Sequence, residues 1–255
     1  RAHDVPTHLN IRILRYLEKE WERARRALSL EGIPIFGYLS EQLHNELLCA
    51  VCLPHLRPHP FFNKVMDLSE LVMQRLAAKC ISQKTLAGGD MLFVPYDSPA
   101  HMGTVTRGQI TYVKVDLRNR EHTYHLEKGK GWVTEHTLWT DDWVCLGEAR
   151  AETDCELQLV SAETFSEVLS PLPNLVNLAG KYAAAFMESL NHTPGDELLD
   201  IILLEEVIDL ATPVIRDYDA EFANSSPVAS STARPRYLER ALSFFSRGIV
   251  GGAQN

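Results

Sequence analysis

Cys49-x-x-Cys52 followed by His55 is the first arrangement in the chain with metal-ligand chemistry. Two thiolates and an imidazole suit zinc, which takes four such donors in a structural site. No second Cys or His pair stands at ligand spacing, and both cysteines fall on an apolar helix, so core packing is the competing reading. His122-Thr123-Tyr124-His125-x-Glu127 is the second candidate. A mixed histidine and carboxylate centre would need a further, more distant ligand, and a solvated strand with its turn accounts for the run equally. Gly129-x-Gly131 lacks the third glycine and the strand-to-helix setting of a dinucleotide loop. There is no Gly-x-Ser-x-Gly and no phosphate-loop signature. Nothing reads as catalytic, so the expectation is a protein that is not an enzyme and that carries no metal or cofactor.

The elements around these residues come in three blocks. In the first, apolar residues at Ile13/Leu14, Leu17, Trp21, Ala24 and Leu28 make one helical stripe. Arg12, Arg15, Lys19, Arg23 and Arg26 mix with Glu18, Glu20 and Glu22 on its other faces, fit either for ion pairs between subunits or for solvent. A second helix is expected after the cap Ser40, through Leu43, Leu47, Leu48 and Val51 to Pro54. Pro58 and Pro60 then read as breaks, and Asp67 with Glu70 as a capping box opening a third helix to about Cys80.

From Ile81 to Ser161 short β-rich runs alternate with turn residues: Met91–Val94, Met102–Val105, Gln109–Val115, His122–Leu126, Trp132–Glu135, Trp143–Leu146 and Glu156–Val160. Such spacing predicts a sandwich or jelly-roll barrel. Helices are expected again over Ala162–Leu169, over a stripe of Leu175, Leu178, Tyr182, Phe186 and Leu190, and from Thr193-Pro194 to about Ala211. The run 223–233 (ANSSPVASSTA) has linker composition. Beyond it, Tyr237, Leu238, Ala241, Leu242 and Phe245 suit a short amphipathic tail helix, which would pack on its own domain or touch anionic lipid or a calmodulin-like partner.

The 255 residues are 45% apolar and 23% charged with a net charge of −9, which excludes a disordered chain and argues against a nucleic-acid binder. The longest apolar run, Leu47 to Leu53, is too short to span a membrane. Five cysteines without framework spacing suit a reducing, cytosolic setting. The chain starts at Arg1 without an initiator Met, as a piece of a longer protein would.

The β region resembles a cyclic-nucleotide-binding domain. Gly89-Asp90 stands at that family's Gly-Glu turn, and Met102, Val105 and Gly108 fit its Met-Tyr-Phe-Ile-x-x-Gly strand and turn. Trp132-Val133-Thr134-Glu135 lies at the Phe-Gly-Glu of the phosphate-binding cassette, and Thr153–Leu157 with Phe165, Val168 and Leu169 fits the closing strand and helix. Upstream, Leu9, Arg12, Tyr16 and Trp21, then Leu39-x-x-x-Leu43-x-x-Glu46-Leu47, then His59-Pro60-Phe61-Phe62 resemble the C-linker of voltage-gated and cyclic-nucleotide-gated cation channels, the ether-a-go-go-like potassium branch among them. The resemblance covers about residues 5–171.

It implies an α+β fold in five parts: a helical C-linker (5–64), a cyclic-nucleotide-binding-like jelly roll (65–171), C-terminal helices (172–222), a flexible linker (223–233) and a short tail helix (234–255). It also implies a cytoplasmic gating module on the membrane of a voltage-gated cation channel, potassium-selective, acting in monovalent ion transport. The partners would be the pore and voltage-sensor domain of the same chain or of neighbouring subunits in a homotetramer, with no nucleic acid.

The resemblance places the ligand contacts at Val133, Thr134, Glu135, Val144 and Cys145, and this pocket is degenerate. The family's glycine before the glutamate is Thr134, and its phosphate-pairing arginine falls on Val144 or Cys145. No Arg or Lys occurs from His136 to Ala149, and Tyr96 stands where the family has another glycine. A cyclic phosphate buried without its cation loses several kcal/mol, so any cyclic-nucleotide binding is expected to be weak. In the ether-a-go-go-like channels part of the protein's own C-terminal segment fills the empty pocket; the residue that would do so here is not readable from sequence. The alternative is a soluble cyclic-nucleotide sensor or kinase-regulatory-type module that binds cAMP or cGMP, and a third reading is a cupin-like metal enzyme on the same barrel.

Overall fold

The computed structural model describes residues 6–26, 38–116, 118–140 and 142–224. The chain divides into two units, residues 1–48 and 49–255. In the first, α1 (Thr7–Arg26) leaves its apolar stripe open, with Leu9, Ile13, Leu14 and Leu17 all exposed. The helix α2 (Glu41–Leu56) begins where expected, Ser40 Oγ accepting from Leu43 N at 3.3 Å. It runs through Pro54 to Leu56, not stopping before the proline.

The His59-Pro60 break proves to be a helix start. Pro60 opens α3 (Pro60–Leu68), and the His59 ring caps it, Nδ1 accepting from Phe61 N at 3.2 Å. Proline at the first helical position loses no hydrogen bond, since that N–H has no intrahelical partner in any helix. The next helix, α4 (Glu70–Lys79), is capped by Ser69, whose hydroxyl accepts from Val72 N, and not by an Asp67–Glu70 box.

Among the described residues nine strands follow: β1 (Ile81–Leu86), β2 (Met91–Phe93), β3 (His101–Arg107), β4 (Gln109–Val115), β5 (Glu121–Glu127), β6 (Gly131–Val133), β7 (Glu148–Ala151), β8 (Cys155–Ser161) and, much later, β9 (Ile201–Leu203). They form two antiparallel sheets, ordered β1-β8-β3-β6-β9 and β2-β7-β4-β5. Leu86, Val105, Ile110, Tyr112, Leu126 and Leu157 alternate inward from both sheets into one core, the arrangement of a jelly roll. The helices α5 (Ala162–Leu169), α6 (Pro173–His192) and α7 (Leu204–Asn224) complete an α+β fold. A second, aromatic core joins α3, α5 and α6 to the barrel, with Phe61–Trp139 ring centroids at 5.1 Å and Trp139–Tyr182 at 4.8 Å. Each ring buried in this way contributes roughly 1.5–3 kcal/mol.

Two expected elements take another form. Trp143–Leu146 is a loop, not a strand, pinned by Tyr96 N to Cys145 O and Cys145 N to Asp97 O, both at 2.8 Å. The helix expected from Thr193 begins only at Leu204. Thr193 ends α6, a single turn forms at Pro194, and the chain then extends as β9. Of the run 223–233, Ala223 and Asn224 end α7, while the rest and the tail helix over 234–255 lie outside the described residues.

Candidate functional site

After β6 the chain turns sharply. Thr134 takes the left-handed region, φ 51° and ψ 34°, and leads into a 3-10 turn over Glu135–Leu138. That conformation costs a non-glycine residue about 1–2 kcal/mol. Two bonds hold it: Thr134 Oγ1 donates to His101 O, and Thr134 N to Asp200 O, each at 2.6 Å.

The next residue, Glu135, is fully buried and turns towards the helices. Its Oε1 accepts from His59 Nε2 at 3.0 Å, Trp139 Nε1 at 3.1 Å and Tyr182 OH at 2.9 Å, while Oε2 has no partner. Because His59 Nδ1 accepts the Phe61 amide, the proton sits on Nε2 and the ring is neutral. The contact is therefore a hydrogen bond and not an ion pair. Burial pushes the Glu135 carboxyl up, and the hydrogen bonds from His59, Trp139 and Tyr182 pull it down. Tyr182 is shifted by its own burial, then by the Glu135 charge, which raise its hydroxyl well above normal.

On the barrel side lies a second buried carboxylate, Asp200, with 0% exposure. Its Oδ2 accepts from the amides of Leu146 and Gly147, both at 2.8 Å, and from Tyr112 OH at 2.9 Å. Trp143 Nε1 donates to Oδ1 at 2.8 Å. Four neutral donors thus replace the hydration of an anion deep in the protein. The neighbours register the charge. Burial and then Asp200 raise the Tyr112 hydroxyl, and burial, Asp200 and Asp97 push the Cys145 thiol up to about 12.

The segment carrying Asp200 is built into the barrel. β9 pairs antiparallel with β6, Gly131 opposite Leu203 and Val133 opposite Ile201. A Cβ at Gly131 would lie 2.3 Å from Ile202 O, so only glycine admits this strand. At Gly147 a Cβ would lie 2.5 Å from Val113 O and 2.7 Å from the Tyr112 ring, so only glycine leaves that amide in reach of the carboxylate. Lys114, two residues from Tyr112 on the same inward face of β4, donates from Nζ to Gly195 O, Asp196 O and Leu198 O at 2.9, 3.1 and 2.5 Å.

Of the residues singled out from the sequence, Val133 is buried in the core and paired with β9, Thr134 holds the turn, and Cys145 lies in the same core cluster. Val144 is 40% exposed, and Glu135 faces the helices. Asp200, Tyr112, Lys114 and Trp143 were not foreseen. A trace existed: Asp200 is the lone charge in Leu198-Leu199-Asp200-Ile201-Ile202-Leu203-Leu204.

The metal candidates resolve into separate surroundings. Cys49 and Cys52 are buried in α2, where burial raises both thiols, Cys52 to about 11. His122 bonds Asp116, and His125 contacts Thr111 and Glu152. Among the described residues no three His, Cys, Asp or Glu side chains cluster for a metal ion.

No protein-family model matches the sequence, and no curated protein does. Solved structures are similar to part of this chain. The N-terminal domain of a transcriptional regulator from Streptomyces coelicolor A3(2) is 23% identical, covering 55% of this chain and 98% of its own, with a TM-score of 0.44. The sensor domain of the transcriptional regulator DNR from Pseudomonas aeruginosa is 16% identical over 59% of this chain and 98% of its own, TM-score 0.44. The regulatory subunit of a cAMP-independent protein kinase A from Trypanosoma brucei is 16% identical over 60% of this chain and 50% of its own, TM-score 0.42.

Proposed function

We propose that this chain is a cyclic-nucleotide-binding-like regulatory module whose nucleotide site is filled by its own β9 segment. The observation that carries the reading is the Asp200 carboxylate on the amides of Leu146 and Gly147. Those amides directly follow positions 144 and 145, where the resemblance expects the arginine that pairs with a cyclic phosphate. An anion from the chain itself uses them instead. Lys114 and Tyr112 face the same space from β4 and hold residues 195–200 in it. Glu135, the residue a ribose hydroxyl would need, is committed to His59, Trp139 and Tyr182.

The finer reading is the cytoplasmic gating module of a voltage-gated, potassium-selective cation channel, working as a homotetramer beneath its pore. The C-linker-like residues 5–64 support it, together with the open stripe Leu9, Ile13, Leu14 and Leu17 on α1, which a neighbouring subunit would cover. No described helix is itself long and apolar enough to cross a membrane. In this mechanism β9 and the barrel form a bistable element, and its insertion or release biases the linker through the Glu135–His59 bond.

Titration calorimetry with cAMP and cGMP tests the self-occupied site. Millimolar or weaker affinity is expected, and micromolar binding to the unmodified chain would favour the soluble cyclic-nucleotide sensor instead. Sedimentation tests the assembly, a four-chain species being expected.

A further inference from the structure

Between the inner faces of the two sheets, beside the loop 94–100 that joins β2 to β3, lies a cavity of about 280 Å³. Leu92, Phe93, Val133 and Leu159 give it an apolar floor. Lys84 reaches it from β1. This lysine stands two residues from Leu86 and opposite Leu157, both in the barrel core, so its side chain leaves the strand on the inner face. Lysines turned into a protein are ordinarily paired, and Lys114 is, with three carbonyls. Among the described residues Lys84 Nζ has no such partner, and neither have the Ser98 hydroxyl and the His101 ring, which line the same cavity. Lys84 is half-buried while Ser98 and His101 are exposed, so an incoming group can reach all three. The other two polar side chains there are committed: Asp97 Oδ2 accepts from Val94 N at 2.9 Å, and Thr134 Oγ1 donates to His101 O. Three unpaired groups able to donate thus converge over one apolar floor, the make-up of a small-molecule site.

We propose that this cavity binds a small monocarboxylic acid as its anion, with a single ring on the apolar floor and the carboxylate on Lys84 Nζ, the Ser98 hydroxyl and the His101 ring. An ammonium and a carboxylate form charge-assisted hydrogen bonds, the strong kind. The one lysine selects one negative charge, and a doubly charged phosphate would bring a second, unmatched charge close to Asp97. The size agrees as well: about 150 Å³ holds one six-membered ring, and the remainder accommodates a carboxylate on a short linker. Tyr112, Lys114 and Asp200 are not among the lining residues. The module would therefore have a ligand site apart from the space that residues 195–200 fill, and this binding does not rest on the self-occupied reading above.

The test is a ligand-observed NMR titration of the whole chain with 3-phenylpropionate, its neutral amide 3-phenylpropionamide, and acetate. Saturable binding of 3-phenylpropionate is expected. The amide should bind roughly tenfold more weakly for want of the charge, and acetate more weakly still for want of the ring. Lys84→Met keeps the aliphatic stem and removes the ammonium, so it should bind acid and amide alike, while Lys84→Arg should restore the preference for the acid. Filling the rim by Ala100→Trp or, from the same loop, Ser98→Trp should abolish binding of both; each position is exposed, so neither change disturbs the core. Equal affinity for acid and amide in the unmodified chain, an acid preference that survives Lys84→Met, or no saturable binding of 3-phenylpropionate overturns the site. Micromolar cAMP binding would remove the self-occupied reading and leave the 3-phenylpropionate result standing.

Discussion

The Asp200 carboxylate and the Gly147 amide meet at 2.8 Å although 53 residues separate them in the chain. The first belongs to the segment leading into β9, the second to the loop ahead of β7. Their contact closes the barrel from within, and it does so without a cation: Tyr112, Trp143, Leu146 and Gly147 supply only neutral donors. A second cation-free carboxylate, Glu135, sits one residue beyond Thr134, whose own amide donates to Asp200 O. The turn at Thr134 therefore divides two buried anions, one fixing the inserted strand and the other fixing α3 and α6. A displacement of β9 would reach the helices through this residue as well as through α7, which begins at Leu204 directly after the strand.

Asp200→Ala should destabilise the fold by at least about 3 kcal/mol, because it leaves several buried donors unpaired at once. Tyr112→Phe removes one donor and should cost only about 1 kcal/mol. Urea unfolding measures both. Equal effects of the two substitutions would show that the carboxylate is not the centre of the network.

Gly131→Ala separates the strand from the barrel. Its Cβ would meet Ile202 O at 2.3 Å, so β9 must shift while β3 and β6 keep their own pairing. Faster amide exchange at Ile201–Leu203 is expected, with a stability loss of roughly 1–3 kcal/mol. Unchanged exchange would mean that β9 tolerates a side chain there and that glycine has another reason at this position.

The barrel was legible in the sequence because its strands alternate and its turns carry Gly, Asp and Pro at short intervals. The runs Gln109–Val115 and Glu156–Val160 lie within observed strands, and Ser40 caps α2 as its type suggests. Local signals misled where a distant partner decides. Leu198–Leu204 is an apolar run that suits helix or strand, and β6, some 70 residues earlier, selects the strand. Pro60 reads as a break, but its place directly after a capping side chain makes it a start. Of the five site positions taken from the cassette, Val133 and Cys145 enter the core, Thr134 makes the turn, Glu135 faces the helices and Val144 is exposed, while Asp200 and Lys114 match no motif and find their partners only in the folded chain.

Glu135→Gln distinguishes a structural knot from a ligand contact. The amide cannot act as a charged acceptor for His59, Trp139 and Tyr182, and its NH2 would enter the place where Oε2 has no partner. A loss of about 1–3 kcal/mol is expected, with altered Trp139 emission. A Glu135→Gln variant as stable as the parent would return this residue to the role of a spare ligand contact.

The pH dependence of stability should carry the mark of His136. Burial holds its imidazole down to about 4, against the opposing pull of Glu135. A folded value below the unfolded one favours the neutral ring, so its contribution is complete above about pH 6.5 and is lost as pH falls towards 4. The size is about 3 kcal/mol. His55 acts in the same sense, lowered by burial and then by Lys128. His136→Phe keeps a flat ring against Trp143 and removes only the titration. The difference between parent and variant should therefore slope between pH 6.5 and 4 and be flat above it. Parallel curves across that window would show that His136 is free to protonate in the folded chain, and the stack on Trp143 would then be open to solvent.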